Sequence, residues 1–384
     1  QGDWVQGSGA TFTPGLNTVN FTGGNAQSIQ GTAPSITFYN LTINKTAGTA
    51  VTHSGSVASV TTNNFTNTQG NYTAPATLNV NGTYTLTNGT FTSGSNLNVA
   101  GNWSHATAAT FSHNNGIVTF VGGAAQSLGG TKVSEAFYDL VINKSVGFAL
   151  TRGGSIVTIT ARNVTQTQGD FNITAGTLTL TGNYTLTSGT FTAGGTVNLG
   201  GDWTHQSGAT FTSTGSTLVM NGTGTQTINT TVSLLKLTIN NNGGVVNLAS
   251  NITVNNTLQF TKGNISTGAF MVIMPSTVSV SGAAQNTGWV NGNLRKAVAT
   301  GAVVFKTFEI GGANYAPASV LLSTVSVGGD LSVYTKETDQ SEINYSGLNP
   351  SKSVNRFWSF DNGGVVFNNA TVIFNWASAD LDAG

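Results

Sequence analysis

The stretch TLNVNGTYTLTNGTFTSGSNLNVAGNWSHATAATFSHNNGIVTF, residues 77–120, decides the fold of this chain. Leu78, Leu97 and Val118 each open a short segment in which apolar and polar residues alternate, and they stand 19 and 21 residues apart. Alternation with a period of two predicts strands that bury one face. Glycine-containing turns separate the segments and leave no room for a helix. A repeat of about 20 residues that holds two or three short strands is typical of one coil of a parallel β-helix, or β-solenoid.

A longer period of about 100 residues is superimposed on the short one. Gly2-Asp3-Trp4 recurs as Gly101-Asn102-Trp103 and as Gly201-Asp202-Trp203, and FYNLTINK (38–45) recurs as FYDLVINK (137–144). This pattern predicts three duplicated repeats of five coils each, at about 1–99, 100–199 and 200–285. The residues that mark the two periods are Trp4, Trp103, Trp203, Phe91, Phe111, Phe191 and Phe211.

The composition fits such a solenoid and excludes some classes of protein. Only 7% of residues are charged, the net charge is zero, there are 50 glycines, and there is no cysteine. A nucleic-acid-binding protein needs a basic face, which this chain cannot build. In a solenoid, equivalent side chains stack about 4.8 Å apart, so stacked like charges would repel while threonine, asparagine and apolar residues stack favourably. Low charge is therefore a consequence of the predicted architecture.

The last quarter of the chain has a different pattern. Residues 1–285 contain 12 charged side chains, whereas the shorter segment 286–384 contains 14, and the 20-residue period ends near Gln285. About six short apolar segments, separated by glycine pairs and a polar stretch, follow in this segment. They predict an antiparallel β-sandwich over residues 286–384 that caps the last coil of a solenoid over residues 1–285. The predicted fold class is therefore all-β.

These motifs resemble a known class of protein. The pattern G-[DN]-W…F-[YF]-x-L-x-I-N-K is similar to the large repeat-rich adhesins on the surface of bacteria that use type IX secretion, gliding bacteria among them. The last quarter resembles the module that follows such repeats, with its marks at 288–296, 308–311, 315–317 and 356–358. The resemblance implies secretion, a cell-surface or extracellular location, and a structural or adhesive role. In such proteins the module usually continues past this kind of segment, whereas this sequence stops at Gly384, so the resemblance implies that the sandwich is incomplete here.

The ends and the hydropathy of the chain add two expectations. The sequence begins with Gln1 rather than Met, which predicts a processed protein or a fragment of a longer one. No apolar run approaches the roughly 18 residues of a membrane-spanning helix, so we expect no transmembrane segment.

Enzymes that act on polysaccharides are found on β-helices, so acidic residues need attention. Such reactions use paired carboxylates, or a base beside acidic calcium ligands. Asp3 and Asp202 occupy equivalent repeat positions far apart along the chain, and we interpret them as turn-capping residues. We predict no catalytic and no cofactor-binding residue, and therefore not an enzyme. The acidic residues in residues 1–285 are Asp3, Glu135, Asp139, Asp170 and Asp202.

Histidines and threonines suggest two further kinds of site. His105 and His205 share one repeat position, and a zinc site needs three or four convergent ligands, so we predict surface turn histidines and no metal site. Thr90-Phe91-Thr92 would stack on Thr110-Phe111-Ser112, as in the threonine ladders of ice-binding solenoids. The β-propensity of threonine explains the same pattern on a solvated face.

The tryptophans Trp4, Trp103 and Trp203 could form a sugar-stacking platform or could pack at the corners of coils. Because they are one long repeat apart, they cannot form one continuous strip. We favour the packing role.

The sequence as a whole favours an extracellular structural protein, either an adhesin stalk or a fibre-forming subunit. The predicted partners are other copies that associate end to end, further domains of a longer chain, and surface glycans, but no nucleic acid. The alternatives are a carbohydrate-binding or carbohydrate-active β-helix and, less favoured, an ice-binding solenoid. The predicted assembly interface consists of Gly2, Asp3, Trp4, Trp376 and Leu381.

Overall fold

A computed structural model describes residues 2–275 and 278–382. The chain forms two compact units, Gln1–Val197 with Ser207–Thr214 and Asn198–Gln206 with Gly215–Gly384. It is all-β, with about 15 turns of parallel β-solenoid and a small antiparallel sheet in the C-terminal part. This confirms the predicted fold class. No helix in the described residues is long and apolar enough to cross a membrane.

Most strands are three to six residues long, as the alternating segments predicted. Strands β1 to β20 are β1 (Trp4–Gln6), β2 (Thr18–Gly23), β3 (Gln27–Gly31), β4 (Ser35–Thr37), β5 (Asn40–Lys45), β6 (Ala50–His53), β7 (Ser59–Thr62), β8 (Asn64–Gln69), β9 (Asn71–Thr73), β10 (Thr77–Val80), β11 (Tyr84–Leu86), β12 (Gly89–Thr92), β13 (Asn96–Val99), β14 (Trp103–His105), β15 (Ala109–Ser112), β16 (Ile117–Gly122), β17 (Gln126–Gly130), β18 (Ser134–Ala136), β19 (Asp139–Lys144) and β20 (Ala149–Arg152).

The later strands include two long ones that continue around solenoid corners. They are β21 (Thr158–Ala161), β22 (Asn163–Gln168), β23 (Asp170–Ile173), β24 (Thr177–Leu180), β25 (Tyr184–Leu186), β26 (Thr190–Ala193), β27 (Thr196–Leu199), β28 (Trp203–His205), β29 (Thr210–Ser213), β30 (Thr217–Met220), β31 (Gln226–Asn229), β32 (Leu234–Leu248), β33 (Ile252–Met274), β34 (Ser279–Ser281), β35 (Val290–Val298), β36 (Gly301–Phe308), β37 (Ile310–Gly311), β38 (Ala318–Val325), β39 (Gly329–Lys336), β40 (Phe357–Gly363) and β41 (Asn369–Phe374). Short 3-10 helices span Ile343–Tyr345, Pro350–Lys352 and Ser378–Asp380.

In the first unit the strands form parallel ladders between successive coils. One ladder runs β2-β5-β8-β11-β14-β17-β20-β23-β26-β29, so each strand usually pairs with the third strand after it. Paired residues are between 18 residues apart (Ser59 and Thr77) and 25 residues apart (Trp4 and Ile29). Each coil of about 20 residues therefore contributes one strand to each of three faces.

The prediction of five coils per long repeat is wrong. Strand β16 occupies the position in the second repeat that β2 occupies in the first, and it comes fourteen strands later. At three strands per coil, this distance is four coils and two further strands. As a result β2 and β16 lie in different ladders, with β2 beside β5 and β16 between β13 and β19. The coils differ in length, so the number of coils in a repeat cannot be obtained by dividing the length of the repeat by about 20 residues.

The solenoid core is built from stacked apolar residues. In one ladder of the first unit every inward position is at most 1% exposed, and the register partners are Ile36, Val60, Leu78, Leu97, Val118, Leu140 and Val164. Their neighbours in sequence, such as Asn79 and Asn98, point outward and hydrogen-bond to each other (Nδ2–Oδ1 2.8 Å). The ladder therefore buries apolar surface on one side and pairs uncharged polar groups on the other.

The aromatic markers stack between coils, and Trp103, Trp203, Phe91 and Phe191 are buried, whereas Trp4, Phe111 and Phe211 are only partly buried. The rings of Tyr84 and Trp103 stack at 4.3 Å, and Trp103 is 1% exposed. Phe91 stacks on Phe111 at 5.8 Å, and Phe191 stacks on Phe211 at 5.6 Å. Full burial of such a side chain stabilises the fold by about 1.5–3 kcal/mol relative to exposure.

In the second unit the parallel ladder passes gradually into antiparallel sheet. Parallel pairing continues beyond Gln285, because β33 pairs with β35 and Val290 in β35 pairs with Ile310 in β37. β35 also pairs in the antiparallel direction with β39, which pairs with β40. A second antiparallel sheet has the order β36-β38-β41. Phe360 links the two layers, with its ring 6.4 Å from Phe308 and 6.1 Å from Phe374.

Candidate functional site

Two lysines of the solenoid are buried inside the first unit. Lys45 is 2% exposed and Lys144 is 0% exposed, and the two occupy equivalent repeat positions. The alternation of β5 explains this burial, because Leu41, Ile43 and Lys45 share its inward face. The burial of the two lysines was not predicted from the sequence, although the alternation of inward and outward residues in these strands indicates it.

Each buried ammonium group is held by oxygen atoms of the preceding coil. Lys45 Nζ donates to Thr22 O at 3.0 Å and to Gln27 Oε1 at 2.5 Å. Lys144 Nζ donates to Val121 O at 3.3 Å and to Gln126 Oε1. Because these partners are neutral oxygens, burial is not offset by an opposite charge, and it lowers the pKa of both lysines, that of Lys144 to about 8.

The third repeat contains the same group of oxygen acceptors, which we call the cage, but the residue that donates to them is uncharged. There Asn241 Nδ2 donates to Gln226 Oε1 at 2.9 Å and to Gly224 O at 2.7 Å. Gln226 in turn donates to Leu199 O, as Gln126 donates to Val99 O. The cage therefore requires a hydrogen-bond donor rather than a charge, which indicates a structural role.

We expect the protein to become more stable as pH rises from 8 to about 10. An unfolded lysine has a pKa of about 10.4, so in this window the unfolded chain holds a proton that folded Lys144 has released. The expected gain is about 1–3 kcal/mol. Above pH 10 the trend reverses, since burial raises the pKa of Tyr84 and Tyr184 and only the unfolded tyrosines ionise.

Urea unfolding at pH 7, 8, 9 and 10 measures this dependence. The matched variant Lys144→Met should flatten the slope between pH 8 and 10. A slope that is the same in both proteins would contradict the assignment.

A second buried polar group joins three side chains of the second repeat. Glu135 is 1% exposed and accepts from Trp103 Nε1 at 3.1 Å and from His105 Nδ1 at 2.9 Å. His105 Nε2 lies 3.0 Å from Ala109 O. Since both ring nitrogens face oxygen acceptors, the arrangement suits an imidazolium paired with the carboxylate. Its burial closes it to a substrate.

The prediction that His105 and His205 are surface turn residues is wrong. Both are 2% exposed, and His205 Nδ1 lies 3.1 Å from Thr231 Oγ1. The partners come from the next coil, 30 residues away for Glu135 and 26 for Thr231, so nothing next to the histidines in sequence reveals them. In the first repeat, Gln6 and Ile36 take the positions of His105 and Glu135, and Gln6 Nε2 donates to Ala10 O at 3.3 Å.

The remaining histidines are also partly buried. His53 contacts Thr73 O and the hydroxyl of Tyr72, and burial lowers its pKa to about 4. His113 lies at a corner with its ring 5.6 Å from that of Tyr138. In the described residues no group of three or more histidine, aspartate or glutamate side chains could hold a metal ion.

The aspartates of the Gly-Asp-Trp motif serve the turns between coils. Asp3 Oδ1 accepts from Ser28 N at 2.8 Å, and Asp202 Oδ1 accepts from Thr227 N at 2.7 Å. Asn102 makes the same contact with Ser127 N at 2.9 Å. The acceptor is thus uncharged in the second repeat, which agrees with the turn-capping interpretation.

The outward threonines form only short ladders in the first unit. Thr90 is paired with Asn71 on one side and with Thr110 on the other. Thr92 is likewise flanked by Thr73 and Ser112. A mixed ladder of this kind follows from β-propensity.

Asp139 and Arg162 belong to one surface cluster of the first unit, which we call the repeat-2 cluster: His113, Tyr138, Asp139, Arg162 and Asn163. Arg162 Nε donates to Asp139 Oδ1 at 2.9 Å, and its second nitrogen pairs with Oδ2. Arg162 Nη1 donates to the Tyr138 hydroxyl at 2.8 Å, with the guanidinium carbon 4.1 Å from the ring centre. Asn163 Nδ2 donates to Asp139 Oδ1 at 3.0 Å, and the Arg162 side chain is 46% exposed. The sequence pattern marked Asp139 only as one of the few acidic residues of the solenoid and did not indicate the cluster.

The ionic groups of the second unit hold its C-terminal segment. Arg356, whose side chain is 0% exposed, donates to Asp380 Oδ2 at 2.9 Å and to Glu337 Oε1 at 2.5 Å. These contacts tie the last 3-10 helix to the end of β39. Lys296 Nζ pairs with Glu309 Oε2 at 2.6 Å.

The predicted assembly residues lie in different surroundings. In the first unit Gly2 and Asp3 are exposed, whereas Trp4 packs edge-on against Phe12 at 4.7 Å. In the second unit Trp376 is 47% exposed and Leu381 is 51% exposed. Their role in assembly stays a prediction.

Comparison with known proteins gives no match: no family model, no curated protein and no solved structure matches this chain. Its function must therefore be argued from its own residues.

Proposed function

We propose that this chain is a structural β-solenoid segment of an extracellular bacterial surface protein, part of an adhesin stalk or of a fibre. The observation that carries the proposal is the nearly uncharged ladder, in which each coil is hydrogen-bonded to its neighbours. The resemblance of its repeat motifs to those of surface adhesins of type IX-secreting bacteria supports the same location and role.

The ladder suits a mechanical role. Each coil is held to its neighbours by backbone hydrogen bonds on several faces, so a pulling force is shared by many bonds. Low charge lets coils stack without repulsion, and the polar outward rows offer many weak contacts that add up by multivalency. Burial of Lys45 and Lys144 also removes two sites that trypsin would otherwise cleave.

The surface location is tested on intact cells that produce the protein. An antibody raised against the solenoid should label unbroken cells, and trypsin applied outside should release solenoid fragments into the medium. A periplasmic marker protein serves as the leakage control. Labelling that requires lysis would contradict the proposal.

Self-association is supported by the edge strand β41. All six of its residues are exposed, including Val372 at 37%, Ile373 at 54% and Phe374 at 39%. Among the described strands it pairs only with β38, and it contains no charge or proline that would protect an edge. We propose that it pairs with the Gly2–Trp4 edge of a second copy, since contact between two different edges generates an open filament.

Replacing Ile373 with lysine is therefore expected to reduce filament formation at least about tenfold, because a charge on an edge strand opposes strand pairing. Sedimentation and electron microscopy at high protein concentration measure this. The matched control is Val146→Lys, at a residue that is 77% exposed in a turn of the first unit. A wild-type protein that remains monomeric, or equal loss in both variants, would refute the edge pairing.

A further inference from the structure

We propose that the repeat-2 cluster is a binding site for a neutral carbohydrate. His113, Tyr138 and Arg162 come from three successive coils and form a row along one corner of the first unit. Asp139 and Asn163 lie beside this row and add a carboxylate and an amide group to the surface. The cluster thus presents aromatic, cationic and anionic groups together on a surface that is otherwise nearly uncharged.

Two grooves adjoin the cluster and give a ligand room to bind. One encloses about 340 Å³ and is lined by His113, Phe137, Tyr138 and Arg162. The other encloses about 300 Å³ and is lined by Asp139, Val141 and Asn163. These volumes reach the lower end of the range of small-molecule sites. Because the Arg162–Asp139 pair borders both grooves, a chain of sugar rings could contact it from either side.

The first repeat shows that the fold does not need these charges. It has Pro14, Tyr39, Asn40 and Asn63 where the second repeat has His113, Tyr138, Asp139 and Arg162. Asn64 Nδ2 donates to Asn40 Oδ1 at 3.0 Å, the same distance as from Asn163 to Asp139. The structural hydrogen bond is therefore made by uncharged residues, and an exposed ion pair adds only about 0–1 kcal/mol to stability. Folding therefore does not require the Arg162–Asp139 ion pair.

The hydrogen-bonding capacity of the cluster selects the class of ligand. The contacts of Arg162 use three of its five N–H groups, and the Tyr138 hydroxyl accepts from Arg162 while its own hydrogen remains available. Asp139 supplies acceptors immediately beside these donors. Adjacent hydroxyl groups of a sugar are both donors and acceptors and match such a pair. An anionic ligand is disfavoured, because the carboxylate of Asp139 already neutralises the guanidinium.

The test uses an array of immobilised neutral gluco-, manno- and galacto-oligosaccharides, with heparin and polygalacturonate as anionic comparators, followed by calorimetry on the retained sugars. The variant Asp139→Asn/Arg162→Asn introduces the residues of the first repeat. Its melting temperature should stay within a few degrees of wild type, while affinity falls about tenfold or more, since hydrogen bonds to charged groups are lost.

The reciprocal variant Asn40→Asp/Asn63→Arg places the charged pair beside Tyr39 and tests whether the pair and the tyrosine are sufficient without a counterpart of His113. It should create a second site and raise the binding stoichiometry from one to two sugars per chain. The inference is overturned if no neutral sugar is retained by the wild-type protein, if binding survives in the double-asparagine variant, or if heparin or polygalacturonate is preferred. It is independent of the stalk and fibre proposal, because sugar binding by the cluster does not require self-association.

Discussion

Replacing Glu135 with alanine is expected to lower the free energy of unfolding by about 3–5 kcal/mol, because it removes one partner of a buried ion pair. His105 and the indole N–H of Trp103 would both lose their acceptor in the interior. An orphaned buried donor costs the full desolvation of that group. Urea unfolding of the purified chain measures the loss.

The control exchanges the pair for its counterpart in the first repeat. Glu135→Ile with His105→Gln introduces the residues found at Ile36 and Gln6, and we expect it to recover all but about 1–2 kcal/mol, since a hydrophobic replacement of a buried ion pair is often neutral. Among the described residues the indole N–H of Trp4 has no hydrogen-bond partner, so the exchange reproduces an arrangement that the first repeat already contains. If the double variant were less stable than Glu135→Ala, the ion pair would be essential and this interpretation would fail.

Replacing Gly89 with alanine is expected to cost about 4 kcal/mol or more, a loss of the size seen only for severe steric conflict. Gly89 has a φ of +79°, and a Cβ at this residue would lie 1.9 Å from the carbonyl oxygen of Gly70 in the preceding coil. The coil would have to move away from its neighbour, which would break ladder hydrogen bonds on both sides. Thermal and urea unfolding both report this change.

Gly48→Ala separates the steric conflict from backbone strain. Gly48 has a similar φ of +81°, but in the described part of the chain no atom lies within 4 Å of the position that a Cβ would take. Its replacement should cost only about 1–2 kcal/mol, the penalty for an alanine in the left-handed region. Equal losses at the two glycines would mean that strain, rather than the close approach of the coils, requires glycine at this corner.

Local alternation gave most of the fold from the sequence. Leu78, Leu97 and Val118 were predicted to open stacked inward strands, and they lie in register in successive coils. The phase of a strand determines which side chains point inward, so the same pattern also contained the burial of Lys45. That signal was missed because lysine is rarely buried without an ionic partner.

The candidate site was harder to predict, because its members come from different coils. Tyr138 and Asp139 are adjacent in sequence, but Arg162 joins them from 23 residues beyond Asp139. Coil length varies between 18 and 25 residues, so the residue that stacks on a given position cannot be found by adding a fixed period. The same variation in coil length is the reason why the prediction of five coils per repeat was wrong.

The sequence by itself determined the all-β class, the short strands, the stacked apolar core and the scarcity of charge, because these depend on alternation and composition along the chain. Only the tertiary structure decided which residues meet across coils: Glu135 with His105, Gln126 with Lys144, and Arg162 with Asp139. The physical reason is that a solenoid places side chains together by hydrogen-bond register between coils. The turns at the corners differ in length by a few residues, and this changes which residues of neighbouring coils are paired.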